Sequence, residues 1–167
     1  MLLNAISMSI VIPFSKAGQI RDRLQLGEGK LVFTNGCFDV LHVGHVQYLE
    51  GARKLGDALV VGINGDDSVR ELKGPSRPIN EEADRADVLA ALRCVDAVVI
   101  FPELRATRLI QSLRPDVYAK GGDYTVDLLN EEEREALQSV NCQILFLPLV
   151  AGRSTTATLA KLRGSTK

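Results

Sequence analysis

Both histidines of the chain, His42 and His45, lie three residues apart in the run Thr34-Asn-Gly-Cys-Phe-Asp-Val-Leu-His-Val-Gly-His45. The run follows an apolar stretch, Leu31-Val-Phe33, that reads as a buried strand, and it leads into a helical pattern reaching Leu55. Imidazoles at i and i+3 on a first helical turn face the same way. The backbone N–H groups of that turn have no partner inside the helix and lie at its positive end, which suits a phosphate. The pair could equally be half of a metal site, but such a site needs a third protein ligand and no spacing signals one. Gly44 leaves room for a ligand between the rings. Asp39, within the same run, is expected to orient a backbone amide or a neighbouring side chain. Cys37 has no histidine outside the turn to activate it and is expected as a small apolar filler.

Other segments carry complementary chemistry. Gly152-Arg-Ser-Thr-Thr156 places three hydroxyl residues at the start of a helix, more than capping requires. With the exposed amides they could hold the outer phosphates of a nucleotide. Lys73, Arg77 and Arg85 supply positive charge around Lys73-Gly-Pro-Ser-Arg-Pro78, a segment that two prolines and a glycine keep irregular. Lys120 precedes Gly121-Gly122, where a backbone can approach a ligand closely. Asp123 could accept from a sugar hydroxyl or close an Asx turn. The acidic run Glu131–Glu133 is expected to be a solvated helix start. No GxxxxGK[ST] loop occurs, and Gly62-Ile-Asn-Gly65 does not complete GxGxxG.

The elements that position these groups follow from periodicity. Ser15 caps a helix to about Leu26, and Leu31–Thr34 forms the first strand. Asp57–Asn64 is apolar almost throughout, as in a sheet covered on both faces. Asp66 or Asp67 caps a short helix to Leu72, and Asn80 caps another to about Arg93. Ala97–Phe101 is a third strand, Leu104–Leu113 a helix, and Val117–Ala119 a fourth strand. A helix over Leu128–Val140, a fifth strand at Gln143–Leu147 and a final helix at Ser154–Arg163 complete the order. This alternation predicts an α/β fold with a five-stranded parallel sheet and right-handed crossovers. In such sheets the ligand lies beyond the carboxyl ends of the strands. Asn35–His45, Asn64–Asp67, Lys120–Tyr124 and Leu149–Thr156 all fall at such ends, which argues for one site.

Bulk properties exclude several classes. With 167 residues, 46% of them apolar and 25% charged, the chain suits a single globular domain. A net charge of −1 and the lack of a polybasic run argue against nucleic acid as a partner. Three scattered cysteines form neither CxxC pairs nor a disulfide framework, which points to a reducing, cytoplasmic setting. The first thirteen residues are mildly apolar but lack a signal-peptide pattern and are too short to span a bilayer, so no membrane association is expected. They read as a disordered or loosely docked extension. The expected division is an extension and leading helix over 1–29, a main domain over 30–163 and a tail over 164–167.

Taken together, the residues resemble the cytidylyltransferase-like nucleotidyltransferases, through His42-Val-Gly-His45 (HxGH) and Gly152-Arg-Ser-Thr-Thr156 (GxSTT-like). Leu72-Lys-Gly-Pro-Ser-Arg-Pro78, Arg85 and Lys120-Gly-Gly-Asp-Tyr124 add a likeness to the adenylyltransferase domains that make ADP-heptose. The resemblance covers about Lys30 to Leu162 and implies a Rossmann-like three-layer α/β/α fold. It implies transfer of AMP from ATP to D-glycero-β-D-manno-heptose 1-phosphate, with Mg²⁺ carried by the nucleotide rather than by protein ligands. By that resemblance His42, His45 and Lys73 act on the phosphates. Ser154, Thr155 and Thr156, with Arg153, hold the β and γ phosphates. Thr34, Asn35, Gly36, Phe38, Gly44, Lys120, Gly122 and Asp123 shape the nucleotide pocket, and Asp39, Arg77 and Arg85 are further candidates for contact with substrate. A homodimer is the expected assembly, with a separate kinase supplying the phosphorylated heptose. Two alternatives remain: a cytidylyltransferase for glycerol 3-phosphate or a similar phosphorylated alcohol, and a non-catalytic nucleotide sensor.

Overall fold

The structure, a computed structural model, describes residues 10–122 and 128–148. Six parallel strands form one sheet: β1 (Ile10–Ile12), β2 (Leu31–Gly36), β3 (Ala58–Asn64), β4 (Ala97–Phe101), β5 (Val117–Gly121) and β6 (Gln143–Leu147). Their spatial order is β1-β4-β3-β2-β5-β6. The crossover elements are α1 (Ile20–Arg23), α2 (Val43–Arg53), α3 (Asp66–Lys73), α4 (Glu82–Ala90), α5 (Thr107–Leu113) and α6 (Glu131–Ser139), with a 3₁₀ segment at Phe14–Gln19. No helix among the described residues is long and apolar enough to cross a membrane.

Side chains alternate across the strands, as a pleat requires. Leu31, Phe33, Ala58, Val60, Val99 and Tyr118 enter one core with the 3₁₀ segment, α5 and α6. Val32, Leu59, Val61, Ile63 and Val98 enter the other with α2 and α4. All seven residues of β3 are buried, so its near-continuous apolar character reflects two covered faces. The result is the expected α/β/α layering.

Several local expectations change, among them the cap of α3, which is Gly65 rather than Asp66 or Asp67. The sheet has six strands rather than five, because Ile10–Ile12 pairs with Ala97–Val99. That part of the supposed loose extension is held by ladder hydrogen bonds and by Ile12, which is buried. The leading helix is split into the 3₁₀ segment and α1, and it begins after Pro13 with no side-chain cap from Ser15. Asn80 does not cap α4, which starts after Glu81. Asn80 is instead held by Asp39, which accepts from its backbone N–H. The final helix expected over 154–163 lies outside the described residues.

Candidate functional site

The carboxyl ends of β2, β3 and β5 open into a cavity of about 630 Å³. The order β3-β2-β5 reverses the chain's direction of travel across the sheet at β2, the kind of switch point where parallel sheets bind ligands. One wall is the β2–α2 turn, with Gly36, Phe38, Asp39 and His45; Lys73 and Arg77 border it. The opposite wall is formed by Leu104, Arg105 and Glu133, with Asn35, Asn64 and Lys120 on the floor.

The turn that carries the histidines folds tightly. Phe38 adopts a positive φ of 45°, and its ring lies 5.5 Å from that of His45. A Cβ on Gly36 would meet the Phe38 ring at 3.2 Å, so glycine permits this close approach. His42 is the N-cap of α2, in extended backbone, and His45 occupies its third helical position. Their ring centroids are 4.0 Å apart. His45 Nδ1 accepts from the His42 backbone N–H at 3.4 Å. Its neutral ring therefore carries the proton on Nε2. Burial, with His42 adding a smaller contribution, lowers the His45 pKa to about 4. At neutral pH this ring is an uncharged hydrogen-bond donor.

Lys73 ends α3, exposed on the cavity rim, and the chain then turns at Gly74 with φ 97°. Burial lowers the Lys120 pKa and Glu133 opposes that shift. Lys120 Nζ also stands 5.8 Å from the centroid of the Tyr118 ring. Gly122, at φ 121°, closes the end of β5 by donating its N–H to the Leu147 carbonyl. Cys37 has a raised pKa because it is buried, so it offers little thiolate for nucleophilic chemistry.

Several expected ligand contacts prove to be structural. The Thr34 hydroxyl is buried and bonded to Tyr48 Oη at 2.6 Å, and Tyr48 in turn donates to the Ala119 carbonyl. That chain ties β2 to α2 and β5 and leaves Thr34 turned away from the cavity. Arg85 is only 2% exposed. Its three guanidinium nitrogens donate to Asn80 O, Cys37 O and Asp66 Oδ1. It braces the β2–α2 turn against α3 and α4 rather than reaching for phosphate. Asp39 fulfils its expected role: Oδ1 accepts from Ile79 and Asn80 N–H, and Oδ2 pairs with Arg77 Nε at 2.5 Å. Arg77 thus borders the cavity with its charge already matched. Asn35 is locked at both ends, accepting from Tyr118 Oη and donating to Glu133 Oε1. Asp123, Arg153, Ser154, Thr155 and Thr156 lie outside the described residues.

The cavity also holds groups that the sequence reading passed over. Glu133, expected to be solvated, is 6% exposed and accepts from Ala106 N–H as well as from Asn35. The spacing Asn130-x-x-Glu133 was a usable signal, because Asn130 caps α6 and fixes where the third helical residue must sit. Arg105 gave no local signal, since only the tertiary fold brings it to the cavity, whereas Asn64 falls in the Asn64–Asp67 strand end already expected at the site. Among the described residues, no three His, Cys, Asp or Glu side chains cluster to hold a metal ion.

Comparison with known proteins places this geometry in context. Residues 33–159 match the family model described as Cytidylyltransferase-like. A bifunctional protein HldE from Syntrophotalea carbinolica is 50% identical over 146 residues, covering 86% of this chain and 29% of that protein. HldE of Geotalea uraniireducens is 54% identical over 139 residues, covering 83% of this chain and 28% of its own length. HldE of Koribacter versatilis is 48% identical over 168 residues, covering 96% of this chain and 34% of its own length. The chain therefore spans about three tenths of the curated relatives it matches. A lipopolysaccharide core biosynthesis protein from Thermoplasma volcanium superposes with a TM-score of 0.60 at 27% identity, covering 73% of this chain and 97% of that one. A pantoate–β-alanine ligase from Francisella tularensis shares the fold, with a TM-score of 0.56 at 17% identity over 89% of this chain and 69% of its own.

Proposed function

The chain belongs to the cytidylyltransferase-like family of nucleotidyltransferases, and we propose that its cavity transfers AMP from ATP to D-glycero-β-D-manno-heptose 1-phosphate, yielding ADP-heptose and pyrophosphate. The observation that carries this reading is the arrangement of one wall of the cavity. His45, at the start of α2, lines that space with Lys73 and Lys120, and the His42 ring lies 4.0 Å behind it, centroid to centroid. The similarity to proteins named HldE, and at 27% identity to a lipopolysaccharide core biosynthesis protein, agrees with this reading.

The acceptor is already an anion, so the reaction needs no strong general base. An acceptor phosphate oxygen forms a bond to the α-phosphorus in line with the departing pyrophosphate, and the α–β bridging bond breaks. Catalysis is then positioning and charge stabilisation. His45 donates from Nε2 to the triphosphate as a neutral ring, and His42 acts beside it. Lys73 and Lys120 offset the charge that moves onto pyrophosphate. Magnesium bound with the nucleotide, rather than held by protein ligands, would supply partial neutralisation of the triphosphate. Ser154, Thr155 and Thr156 are proposed to hold the outer phosphates.

The test is a pyrophosphate-release assay that crosses ATP and CTP with heptose 1-phosphate, glycerol 3-phosphate and phosphoethanolamine. Release with ATP and heptose 1-phosphate is expected. His42→Ala should lower that rate by about 10²–10³, the usual effect of removing one transition-state donor. Release with CTP and a phosphorylated alcohol alone would overturn the substrate assignment. No release with any pair would favour a nucleotide sensor.

A further inference from the structure

The two walls of the cavity differ in charge. The α2 wall offers the His45 imidazole, with Lys73 and Arg77 at its border. The facing wall presents Glu133, a carboxylate that is nine-tenths buried. Both of its hydrogen bonds reach Oε1, from Ala106 N at 2.9 Å and from Asn35 Nδ2 at 3.2 Å. Among the described residues, Oε2 receives no hydrogen bond. A fixed carboxylate oxygen with no donor of its own accepts hydrogen bonds from hydroxyls, so this part of the wall suits a polyol.

The surroundings hold that oxygen still. The hydrogen bond to Ala106 anchors the carboxylate to the start of α5, directly after Arg105. The Asn35 amide cannot rotate, because Tyr118 occupies its oxygen and Glu133 its nitrogen. Asn64 donates to the Glu103 and Leu104 carbonyls and steadies the same turn from β3. Arg105, on that turn, brings a cation to the cavity beside the carboxylate. A carboxylate and a guanidinium on a rigid wall match a molecule bearing both hydroxyls and a phosphate.

We propose that Glu133 determines acceptor specificity, with Oε2 accepting from hydroxyls of the sugar phosphate and Arg105 contacting its anionic end. This rests on the reading of the cavity as a nucleotidyltransferase site, and it names the residues that choose the acceptor. Substitution Glu133→Gln tests it. The amide keeps an acceptor oxygen for Ala106 and Asn35 and turns Oε2 into a donor. Titration calorimetry would follow heptose 1-phosphate binding to the full chain saturated with Mg²⁺ and a non-hydrolysable ATP analogue.

The expected result is an acceptor affinity about 10–100-fold weaker, the range for losing a hydrogen bond to a charged group. Affinity for the ATP analogue and Tm should stay at wild-type values. Arg105→Ala should also weaken the acceptor alone. Unchanged acceptor affinity in Glu133→Gln would overturn the proposal. So would equal weakening of acceptor and nucleotide together with a lower Tm, which would mark a purely structural carboxylate. If the wild type turns over a different phosphorylated alcohol, the heptose reading fails, and the same titration with that alcohol decides the role of Glu133. If it turns over none, both readings fall.

Discussion

Asp39 offers the sharpest test of how the cavity is held in shape. Its carboxylate is 4% exposed and ties the β2–α2 turn to the segment between α3 and α4. Asp39→Asn retains Oδ1 for the Ile79 and Asn80 amides but sets an NH₂ group against Arg77 Nε. Removing one member of a buried pair costs about 3–5 kcal/mol when the other charge stays buried. The Arg77 side chain keeps 18% exposure and can turn toward water, so about 2–3 kcal/mol is the better figure here. At about 2–4 °C per kcal/mol for a chain of this size, Tm should fall by about 4–12 °C. Asp39→Ala also strips the acceptor from two amides, at about 1–1.5 kcal/mol each, and should roughly double the shift. Thermal unfolding followed by circular dichroism at neutral pH measures both. A shift below about 2 °C for Asp39→Asn, or equal shifts for the two variants, would refute the reasoning.

Two further outcomes follow from the same geometry. The His45 pKa is about 4 when folded against 6.5 for an unperturbed ring, so between these values the unfolded chain holds the extra proton. Its contribution to stability is therefore complete above about pH 6.5 and declines as pH falls toward 4. Thermal scans from pH 7 to 4.5 should show the wild type losing stability relative to His45→Gln, and parallel curves would contradict the buried neutral ring. Tyr48→Phe removes the hydroxyl that joins Thr34 to Ala119. It should lower Tm by about 2–8 °C, from about 1–2 kcal/mol, while nucleotide affinity is retained. Lost nucleotide binding with an unchanged Tm would instead put Thr34 in the ligand pocket.

Much of the sheet was legible because its strands carry their own signals. Ala97–Phe101 and Gln143–Leu147 appear with the expected boundaries, since short apolar runs between turn residues leave little choice. The histidine turn was legible for a local reason too, a strand end followed by a helix start. What escaped was the use made of polar side chains after folding. Arg85 and Glu133 carry charges that usually lie in water, and partners 5 to 98 residues away allow them to be buried. The Asn80 cap failed similarly: its amide had a better acceptor in Asp39, which no window around Asn80 contains. The short strand β1 was hidden because three residues make a weak period, and its pairing with β4 spans most of the domain.

That strand has a consequence for the protein's behaviour among its own kind. Ala97-Val-Val-Ile-Phe101 is uncharged, β-branched and free of proline, the composition that recruits like segments from neighbouring molecules. Ile10–Ile12 lies along its open side, and Pro13 follows at once, offering no N–H to extend a ladder. Among the described residues the sheet ends in this three-residue strand, a short template for another. Ile10–Ile12 thus covers, among those residues, an edge that an apolar, β-branched strand would otherwise expose.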